Sequence, residues 1–427
     1  MNSKPSRSAL VIGGGLIGVT TAWYLAERGV AVTLLERREA AALETSYANG
    51  GLVTPSQSDP WNGPGTLAHL IRWLGREDSP LLLRLRALPG MWRWGLRFLL
   101  ASRAAPWWRA TEANLRLGLY SADCLTSLRE QLRLEYDSLN AGTLKVFRDG
   151  SAFERSVALA EALSPQGLSY RALSPAEAAR LEPLLEPVQG QLAGAIHYPK
   201  DASGDAQAFT RQLERKARAA GVEFRYGIEV TGLRGDFKRI GAAVTRDGEL
   251  QAESYVLAAG NASPALLASA GFTLPMYPVK GYSITVTAAK WARPLGVPLV
   301  DFEQKTVLTP MGARLRIAGT AEFNGFDTSL NPRRGASILR RALALVPALA
   351  AQVDATQVEH WAGLRPMTAD GPPVLGATPL ENLFLNTGHG PLGWTLAAGS
   401  GRVVADLVTG RRPEIDLKGL DYGRYAR

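Results

Sequence analysis

Three glycines in a six-residue turn carry the strongest chemical signal in this 427-residue sequence. Gly13, Gly15 and Gly18 follow the apolar run 9–12 and precede a segment compatible with a helix, and the next apolar run ends at Glu36. In such a strand–turn–helix–strand unit, backbone N–H groups meet a pyrophosphate at the helix N-terminus, and the acid accepts hydrogen bonds from a ribose. The pattern therefore predicts a dinucleotide site.

The residues around this turn narrow the choice of dinucleotide. Glu36 repels the 2′-phosphate of NADP, although Arg37 and Arg38 follow it directly, so FAD and NAD are the main candidates. Residues 44–51 supply small side chains, a hydroxyl and an amide where the second half of a long cofactor would lie. This composition favours FAD, with a solvated loop as the alternative interpretation.

Two later glycine-containing segments have the same chemical potential. Gly260 ends an apolar run, and residues 387–394 hold three glycines directly before a small, apolar, helix-compatible stretch. Glycine lets backbone approach a ligand closely, and a helix N-terminus offers free N–H groups with a positive dipole. Both segments are predicted to approach the cofactor of the first turn.

The hydrophobic pattern predicts the elements that must position these groups. Strands are expected at 9–12, 30–35, 142–147, 194–198, 222–226, 229–233, 242–245, 254–259, 279–286, 306–310, 314–319, 358–364 and 383–386. Helices are expected at 19–28, 113–132, 152–163, 206–220, 336–346 and 395–405, with a capped helix start at Ser174. The strands at 279–319 predict a second sheet, separate from the nucleotide-binding one, which we interpret as a substrate-covering domain.

Composition limits the remaining possibilities. The length implies two or three domains, and the single Cys124, predicted to be a buried core residue, excludes an intrachain disulfide or a cysteine-based metal site. No metal is expected. Net charge is +9, and only nine of the 48 basic residues are Lys. The short polar start and the lack of a long apolar run predict a cytoplasmic protein, soluble or peripherally bound to the inner membrane.

Residues 66–110 differ in composition from the rest of the chain. They hold five of the ten Trp and eight Arg but only two acids, Glu77 and Asp78. A basic, Trp-containing amphipathic segment can lie in a membrane interface, and a helical insertion packed on its own domain is the equally weighted alternative.

Six motifs in order along the chain carry a family resemblance. They are the Gly13–Gly18 turn with Glu36, residues 43–49, Pro60-Trp61, residues 278–283, residues 363–371 and residues 385–395. With them the sequence resembles the FAD-dependent D-amino acid oxidase superfamily, and most closely the bacterial D-amino acid dehydrogenases of small-subunit type.

The resemblance implies an α/β fold with a Rossmann-like FAD-binding domain and an α+β substrate domain with a mixed sheet. The implied division assigns 1–65, 195–270 and 358–427 to the FAD-binding domain, 66–140 to a helical insertion, and 141–194 with 271–357 to the substrate domain. Residues implied to bind FAD are Ala9, Leu10, Val11, Ile12, Gly13, Gly14, Gly15, Leu16, Ile17, Gly18, Glu36, Arg37, Ser46, Asn49, Gly50, Val230, Gly260, Gly388, Gly390, Leu392, Gly393, Trp394 and Thr395.

The implied activity is oxidative deamination of a D-amino acid, with hydride passing to FAD and electrons then to a quinone or other carrier. A guanidinium grips a carboxylate bidentately, so Arg365, which the resemblance puts at the substrate face, is the predicted carboxylate anchor. Tyr282 is predicted to bind the same carboxylate or the amine, or to be a core tyrosine. His389 is expected near the flavin or as a loop brace, and not as a base.

Several alternatives stay open. Tyr47 and residues 50–52 depart from the usual pattern of the family, so the substrate is D-alanine-like, D-proline or D-hydroxyproline, or glycine or sarcosine. An oxidase that uses O₂ is a second enzyme class. An RNA-associated flavoprotein is a remote third, because the basic residues form no single cluster, and no nucleic-acid partner is expected.

Overall fold

The computed structural model describes residues 7–65, 79–288, 291, 293–354 and 357–425. The strands are β1 (Ser8–Ile12), β2 (Ala31–Glu36), β3 (Leu52–Val53), β4 (Leu81–Leu83), β5 (Thr143–Phe147), β6 (Arg171–Leu173), β7 (Gly194–Tyr198), β8 (Ala202–Ser203), β9 (Glu223–Tyr226), β10 (Val230–Gly235), β11 (Ile240–Thr245), β12 (Gly248–Leu250), β13 (Ser254–Leu257), β14 (Met276–Thr287), β15 (Leu299–Asp301), β16 (Thr306–Met311), β17 (Arg314–Phe323), β18 (Glu359–Thr368), β19 (Val374–Ala377) and β20 (Leu383–Thr387).

The helices are α1 (Leu16–Glu27), α2 (Leu88–Ala101), α3 (Ala104–Leu132), α4 (Gly150–Leu163), α5 (Pro175–Leu181), α6 (Ala206–Ala219), α7 (Ser263–Ser269), α8 (Pro332–Leu345) and α9 (Gly393–Val408). The predicted strands and helices are present with shifted ends. The largest shift is at α3, which begins at Ala104 instead of residue 113. The predicted cap is confirmed, because Ser174 and Glu177 form a reciprocal capping box at the start of α5.

The first sheet has the strand order β19-β20-β13-β1-β2-β9, and its β20, β13, β1, β2 and β9 run parallel. Its strands are apolar on both faces, as expected for a parallel sheet covered on two sides. Alternate residues of β1 show this: Ala9 and Val11 pack with α1, α3 and α9, whereas Leu10 and Ile12 pack towards β10, β11 and α7. The prediction of an α/β, Rossmann-like domain is confirmed.

The second sheet is mixed, with the order β18-β14-β17-β16-β15-β5-β7-β6, and β4 pairs with β17. One face packs on α8 through Ile338, Ala342 and Leu345. The long β14 pairs with β17 on one side and with β18 on the other, which brings residue 365 next to residue 279. This sheet is the predicted second lobe.

Sheet membership corrects the predicted domain limits at three places. Strands β7 and β18, assigned to the FAD-binding part, pair within the second sheet, and β4, assigned to the insertion, also joins that sheet. The reason is physical: an apolar alternation predicts a strand, but pairing partners far along the chain decide which sheet it enters. Residues 66–78 of the predicted insertion lie outside the described residues.

Helix α2 belongs to the segment rich in Trp and Arg. Its inner face carries Met91, Trp94 and Phe98, which pack on Tyr277 and Phe323 of the second sheet. Its outer face stays apolar and exposed. Helix α3 packs in the core with α1 and α9, and its Cys124 is buried and free, as predicted. Among the described helices, none is both long and apolar enough to cross a membrane.

Candidate active site

The first glycine turn is fixed by close backbone packing. Gly13 has φ of 112°, and a Cβ there would lie 2.5 Å from the carbonyl oxygen of Ala258. A Cβ at Gly18 would lie 1.8 Å from the carbonyl oxygen of Gly13, so α1 can approach the strand only because this residue is glycine. Gly15 is the N-cap of α1, which leaves the N-terminus of the helix directed at the turn.

Glu36 ends β2 beside this turn. Its carboxylate accepts a hydrogen bond from the Gly14 N–H (2.6 Å) and another from the Arg38 N–H (2.8 Å). Burial raises the pKa of Glu36, although these two backbone donors oppose the shift. The Arg37 guanidinium is turned to Glu44, at 2.9 Å from Nε to Oε1. The acid is thus held in place for a ribose, and the arginines are not arranged as a phosphate clamp.

The segment 44–51 lies between the two sheets. The Ser46 hydroxyl accepts a hydrogen bond from the Leu16 N–H at 3.1 Å, which ties the segment to the start of α1. Asn49 accepts from the Gly51 N–H through its side chain at 2.9 Å, and a Cβ on Gly50 would lie 3.5 Å from the Ala318 Cβ in β17. These contacts make the segment a bridge from the nucleotide turn to the second sheet.

A cavity of about 980 Å³ runs between the two sheets. Predicted site residues that line it are Ile12, Gly13, Gly15, Leu16, Ile17, Glu36, Arg37, Ser46, Asn49, Gly50, Val230, Gly260, Tyr282, Arg365, Gly388, His389, Gly390, Leu392, Gly393 and Trp394. The glycine turn, the segment 44–51 and the start of α9 therefore meet in one space, as the sequence predicted.

Six residues predicted to bind the cofactor lie away from this cavity. They are Ala9, Leu10, Val11, Gly14, Gly18 and Thr395. The three residues of β1 fill the cores on either side of the sheet. The N–H of Gly14 is bonded to Glu36, Gly18 packs on Gly13, and the Thr395 hydroxyl accepts the Thr54 N–H at 2.9 Å. They contact residues that line the cavity, and their predicted role in binding the cofactor stays a prediction.

Trp394 lines the cavity but its indole is part of the core. The indole N–H donates to the carbonyl oxygen of Gly204 at 3.2 Å, and the ring packs on Tyr136 and Phe209. Its contribution to the site is at the start of α9, where Gly390–Leu392 form a 3₁₀ turn before Gly393 opens the helix. The positive end of α9 is therefore directed at the cavity.

Arg365 is the cation at the centre of the second-sheet wall. Its guanidinium lies over Gly281, where a Cβ would be 2.2 Å from Nη1, and its Cζ is 5.3 Å from the centre of the Trp61 ring. The hydrogen bond from Nη1 to the Thr320 carbonyl oxygen is long, at 3.4 Å. Among the described residues it has no carboxylate partner, and burial lowers its pKa to about 10. It is a half-buried cation open to an anionic ligand.

Tyr282 follows Gly281 in β14 and lines the cavity, but its hydroxyl is engaged. It donates to the Glu322 carboxylate at 2.6 Å, and Glu322 also accepts from Arg84 Nε at 2.8 Å. Burial raises the pKa of Tyr282, so the phenol keeps its single proton. To bind a substrate carboxylate, as predicted, the Tyr282 hydroxyl would have to leave Glu322. The structure instead fits the alternative prediction, a core tyrosine whose hydroxyl is already bonded.

His389 lines the cavity and braces the loop before α9. It is buried, and its Nε2 lies 3.1 Å from the Ser400 hydroxyl. Burial lowers its pKa to about 3, because the imidazolium would lose its hydration without gaining a counter-charge. A ring that is neutral near pH 7 and bonded to Ser400 fits the predicted brace.

Similarity to known proteins agrees with this geometry. The sequence profile described as DAO, FAD dependent oxidoreductase, matches residues 8–407. The chain belongs to this family. A D-amino acid dehydrogenase from Paramagnetospirillum magneticum is 48% identical over 417 residues, covering 97% of this chain and 98% of the relative. One from Bradyrhizobium diazoefficiens is 40% identical over 98% of each chain.

Two solved structures have a similar fold and are named as a glycine oxidase and an L-proline dehydrogenase. Glycine oxidase from Geobacillus kaustophilus has a TM-score of 0.77 and 25% identity, and the match covers 97% of this chain and 98% of that one. L-proline dehydrogenase from P. horikoshii has a TM-score of 0.77 and 21% identity over 99% of each chain, which supports the fold alone.

FAD is the cofactor of this FAD dependent oxidoreductase, and the described residues fit it. The Gly13 N–H is bonded to the Leu35 carbonyl oxygen at 2.8 Å, so Gly15 and the start of α1 would hold the pyrophosphate. Glu36 would accept from a ribose, and the cavity continues past residues 44–51 to the second sheet. The positive end of α9 faces the cavity and would stabilise negative charge on a bound flavin. The predicted fold, family and cofactor are confirmed.

Sequence reasoning missed a set of charged residues in the same cavity. Lys145, Lys305 and Asp59 line it, and none of them belongs to a motif that was given a role. The one feature of the sequence that could have drawn attention to Lys145 and Lys305 was the scarcity of lysine, nine of the 48 basic residues. Gly281 was noticed only as part of a motif, since its contact with Arg365 depends on the pairing of β14 with β18.

Proposed function

We propose that this FAD dependent oxidoreductase oxidises D-amino acids to imino acids, which water hydrolyses to 2-oxo acids and ammonia. The observation that carries the proposal is Arg365, a cation in the cavity wall with no carboxylate partner among the described residues. An α-carboxylate satisfies such a group in a bidentate manner. The names of the relatives, D-amino acid dehydrogenase, point to the same substrate class.

The residues of the chain divide the work of positioning. Bound FAD supplies the acceptor for the hydride that leaves the α-carbon. Arg365 holds the carboxylate on the second-sheet wall, and Gly281 leaves room for the guanidinium there. Holding the substrate in one orientation accounts for a large part of the rate. His389 is a poor acceptor for the amine proton, because its Nε2 is bonded to Ser400 and burial lowers the pKa of the imidazole to about 3.

The direct test is anaerobic reduction of the bound flavin. D-alanine, D-proline and glycine are mixed with the purified holoenzyme, and the loss of the oxidised flavin absorbance is followed. Arg365→Met is expected to raise the KM for the amino acid by about tenfold to a hundredfold, because a charge-assisted bond is lost. Flavin that no D-amino acid bleaches would overturn the proposal.

The electron acceptor is proposed to be a quinone or another carrier, with O₂ as the alternative. Helix α2 supports contact with a membrane surface, because its outer face exposes Leu88, Trp92, Leu96 and Leu99 at spacings of four, four and three residues. Trp92 is 60% and Leu96 54% exposed. Large apolar side chains exposed in a row mark an interaction surface.

Basic residues lie beside these exposed apolar side chains, which we call the apolar ridge of α2. Arg93, Arg97 and Arg103 lie on the same segment, and none of them forms an ion pair with an acid among the described residues. Arginine beside exposed Leu and Trp matches the headgroup region of an anionic bilayer, where a quinone would be reached. Peroxide formed at the rate of turnover in air would instead favour the oxidase.

A further inference from the structure

Two lysines form a feature of the cavity that carboxylate anchoring by Arg365 does not use. The Nζ of Lys305 lies 3.7 Å from the centre of the Phe302 ring, and the Nζ of Lys145 lies 5.0 Å from the same centre. Both side chains and the ring line the cavity. Lys305 is accessible to solvent only from within this cavity, whose walls surround its ammonium, and Lys145 is half-buried.

Lys305 and the Arg365 anchor belong to the same sheet and line the same cavity. Thr306 pairs with Gly319 in the β16–β17 ladder, and a Cβ on Gly319 would lie 3.0 Å from the carbonyl oxygen of Lys305. Gly319 precedes Thr320, whose carbonyl oxygen accepts the bond from Arg365. Arg365 stands on β18 and Lys305 at the start of β16, with β14 and β17 between them, so their backbones are about three strand spacings, roughly 14 Å, apart. The Arg365 side chain crosses β14 to reach Thr320 in β17, the strand next to β16, which shortens the gap between the two cations.

The turn that carries Lys305 is held in an unusual conformation. Lys305 has φ of 51°, and Thr320 on the neighbouring strand has φ of 63°. Left-handed backbone is unfavourable for residues with a side chain and is found where structure fixes a functional position. The Asp301 side chain accepts the Gln304 N–H at 3.0 Å, which holds the turn from within.

Neighbouring carboxylates are engaged elsewhere. Asp301 forms an ion pair with Arg148 at 2.5 Å. Glu303 accepts the backbone N–H groups of Arg148 and Asp149 at 3.2 and 3.3 Å. In the described part of the chain, neither Lys145 nor Lys305 has a carboxylate oxygen within 4 Å.

Two further acids line the cavity: Asp149, whose side chain accepts the Ala152 N–H at 2.7 Å, and Asp59. Asp59 is half-buried, lines the cavity and raises the pKa of Lys305, so it lies near that ammonium without pairing with it. The two lysines are not needed to bind the phosphates of FAD. The phosphates would bind at the Gly13 turn before α1, in the first sheet, whereas the lysines belong to the second sheet. The two ammonium groups can therefore bind one anionic group of a ligand.

We propose that Lys145 and Lys305 form a second anion subsite, which binds the side-chain carboxylate of a dicarboxylic D-amino acid while Arg365 binds its α-carboxylate. This inference rests on the proposed function. It assigns D-glutamate or D-aspartate as preferred over the neutral amides of the same shape. Charge-assisted hydrogen bonds from two ammonium groups distinguish a carboxylate from an amide.

The test compares D-glutamate with D-glutamine in anaerobic flavin reduction by the holoenzyme, since the two differ in charge and not in size. The wild type is expected to show a lower KM for D-glutamate. Lys305→Met is expected to reduce the ratio of kcat/KM for D-glutamate over D-glutamine by about tenfold or more, mainly through KM. Lys305→Arg should retain the ratio, and Asp59→Asn should raise it by removing a repelling charge.

Lys238→Met is the matched control, because Lys238 is exposed on the turn between β10 and β11. If Lys305→Met does not fold, Lys145→Met addresses the same subsite. A ratio that is equal in the wild type and in both Met variants would overturn the subsite. Bleaching by D-alanine with no preference for D-glutamate would reject this inference alone, whereas no bleaching by any D-amino acid would reject the proposed function.

Discussion

The guanidinium of Arg365 occupies the space where Gly281 would carry a side chain. A Cβ on Gly281 would lie 2.2 Å from Nη1, 2.4 Å from Cζ and 2.5 Å from Nη2. The two residues lie on paired strands, since Val279 is opposite Arg365 in the β14–β18 ladder. Because position 281 has no side chain, the guanidinium of Arg365 can lie directly against the backbone of β14. This fixes where the predicted anchor can bind a carboxylate.

Gly281→Ala tests this relationship. The new methyl group must displace the guanidinium, and misplacement of a substrate-binding group by about 1 Å can cost a hundredfold in rate. We expect the KM for D-amino acids to rise by about tenfold or more, as measured by anaerobic flavin reduction. Gly190→Ala is the control, because a Cβ there meets no atom within 4 Å. Equal KM values for the two variants would contradict the assignment.

The parts of the site that could be predicted are those whose contacts join residues close together in the sequence. The turn from Gly13 to Gly18 is local, so its strand, helix and role could be predicted from consecutive residues. The hydroxyl of Tyr282 bonds Glu322, forty positions away, and Lys305 lies beside Gly319 only through the β16–β17 register. Such contacts depend on strand pairing, which periodicity does not encode.

The same limitation explains the domain limits. Strand β18 has the apolar alternation expected of a strand, yet nothing in residues 358–364 indicates that it pairs with β14 rather than with the first sheet. Arg365 could be proposed as an anchor because its chemistry is intrinsic to the residue. The roles of Gly281 beneath it and of Lys145 and Lys305 in the cavity depend on contacts between distant parts of the chain, so the sequence alone did not indicate them.

Preference for D-glutamate is expected to depend on pH. Burial and the nearby Lys145 lower the pKa of Lys305 to about 8, while Asp59, Glu303 and Asp301 oppose the shift. The ammonium is present below that pH and is lost above it. The ratio of kcat/KM for D-glutamate over D-glutamine should therefore fall as pH rises through about 8. Titration of the α-amine affects both substrates alike and cancels in the ratio.

Lys305→Arg provides the comparison for this pH profile. Arginine stays charged across the whole range, so its ratio should be flat where that of the wild type falls. A ratio in the wild type that does not change between about pH 7 and about pH 9.5 would contradict the assignment of the transition to Lys305.

A buried carboxyl makes stability depend on pH. Asp201 accepts hydrogen bonds from the Ser56 and Thr143 hydroxyls, both at 2.6 Å, and thereby joins the segment after β3 to β5. Burial raises its pKa from 3.8 to about 7, although these donors and Lys145 oppose the shift. The folded state then binds a proton that the unfolded state releases, so the free energy of unfolding falls as pH rises between about 4 and 7.

Asp201→Asn should remove this dependence. The amide cannot ionise, so the variant is expected to lose less stability than the wild type between about pH 5 and about pH 8 in urea unfolding of the holoenzyme. Asp247→Asn, in an exposed turn, should keep the profile of the wild type. Parallel profiles for all three proteins would show that Asp201 does not titrate in this window.

The exposed ridge of α2 makes a prediction about vesicle binding. Replacing Trp92 and Leu96 with Ser removes apolar area that the fold does not bury, so the variant should fold normally and lose binding to phosphatidylglycerol vesicles in flotation. Arg93→Glu with Arg97→Glu should abolish binding to the same vesicles by reversing the charge beside the ridge. Phe237→Ser is the control, since Phe237 is 86% exposed on the β10–β11 turn, away from α2. If the wild type binds vesicles of neutral phosphatidylcholine equally well, or if all variants float with the wild type, α2 is not the surface that meets an anionic bilayer.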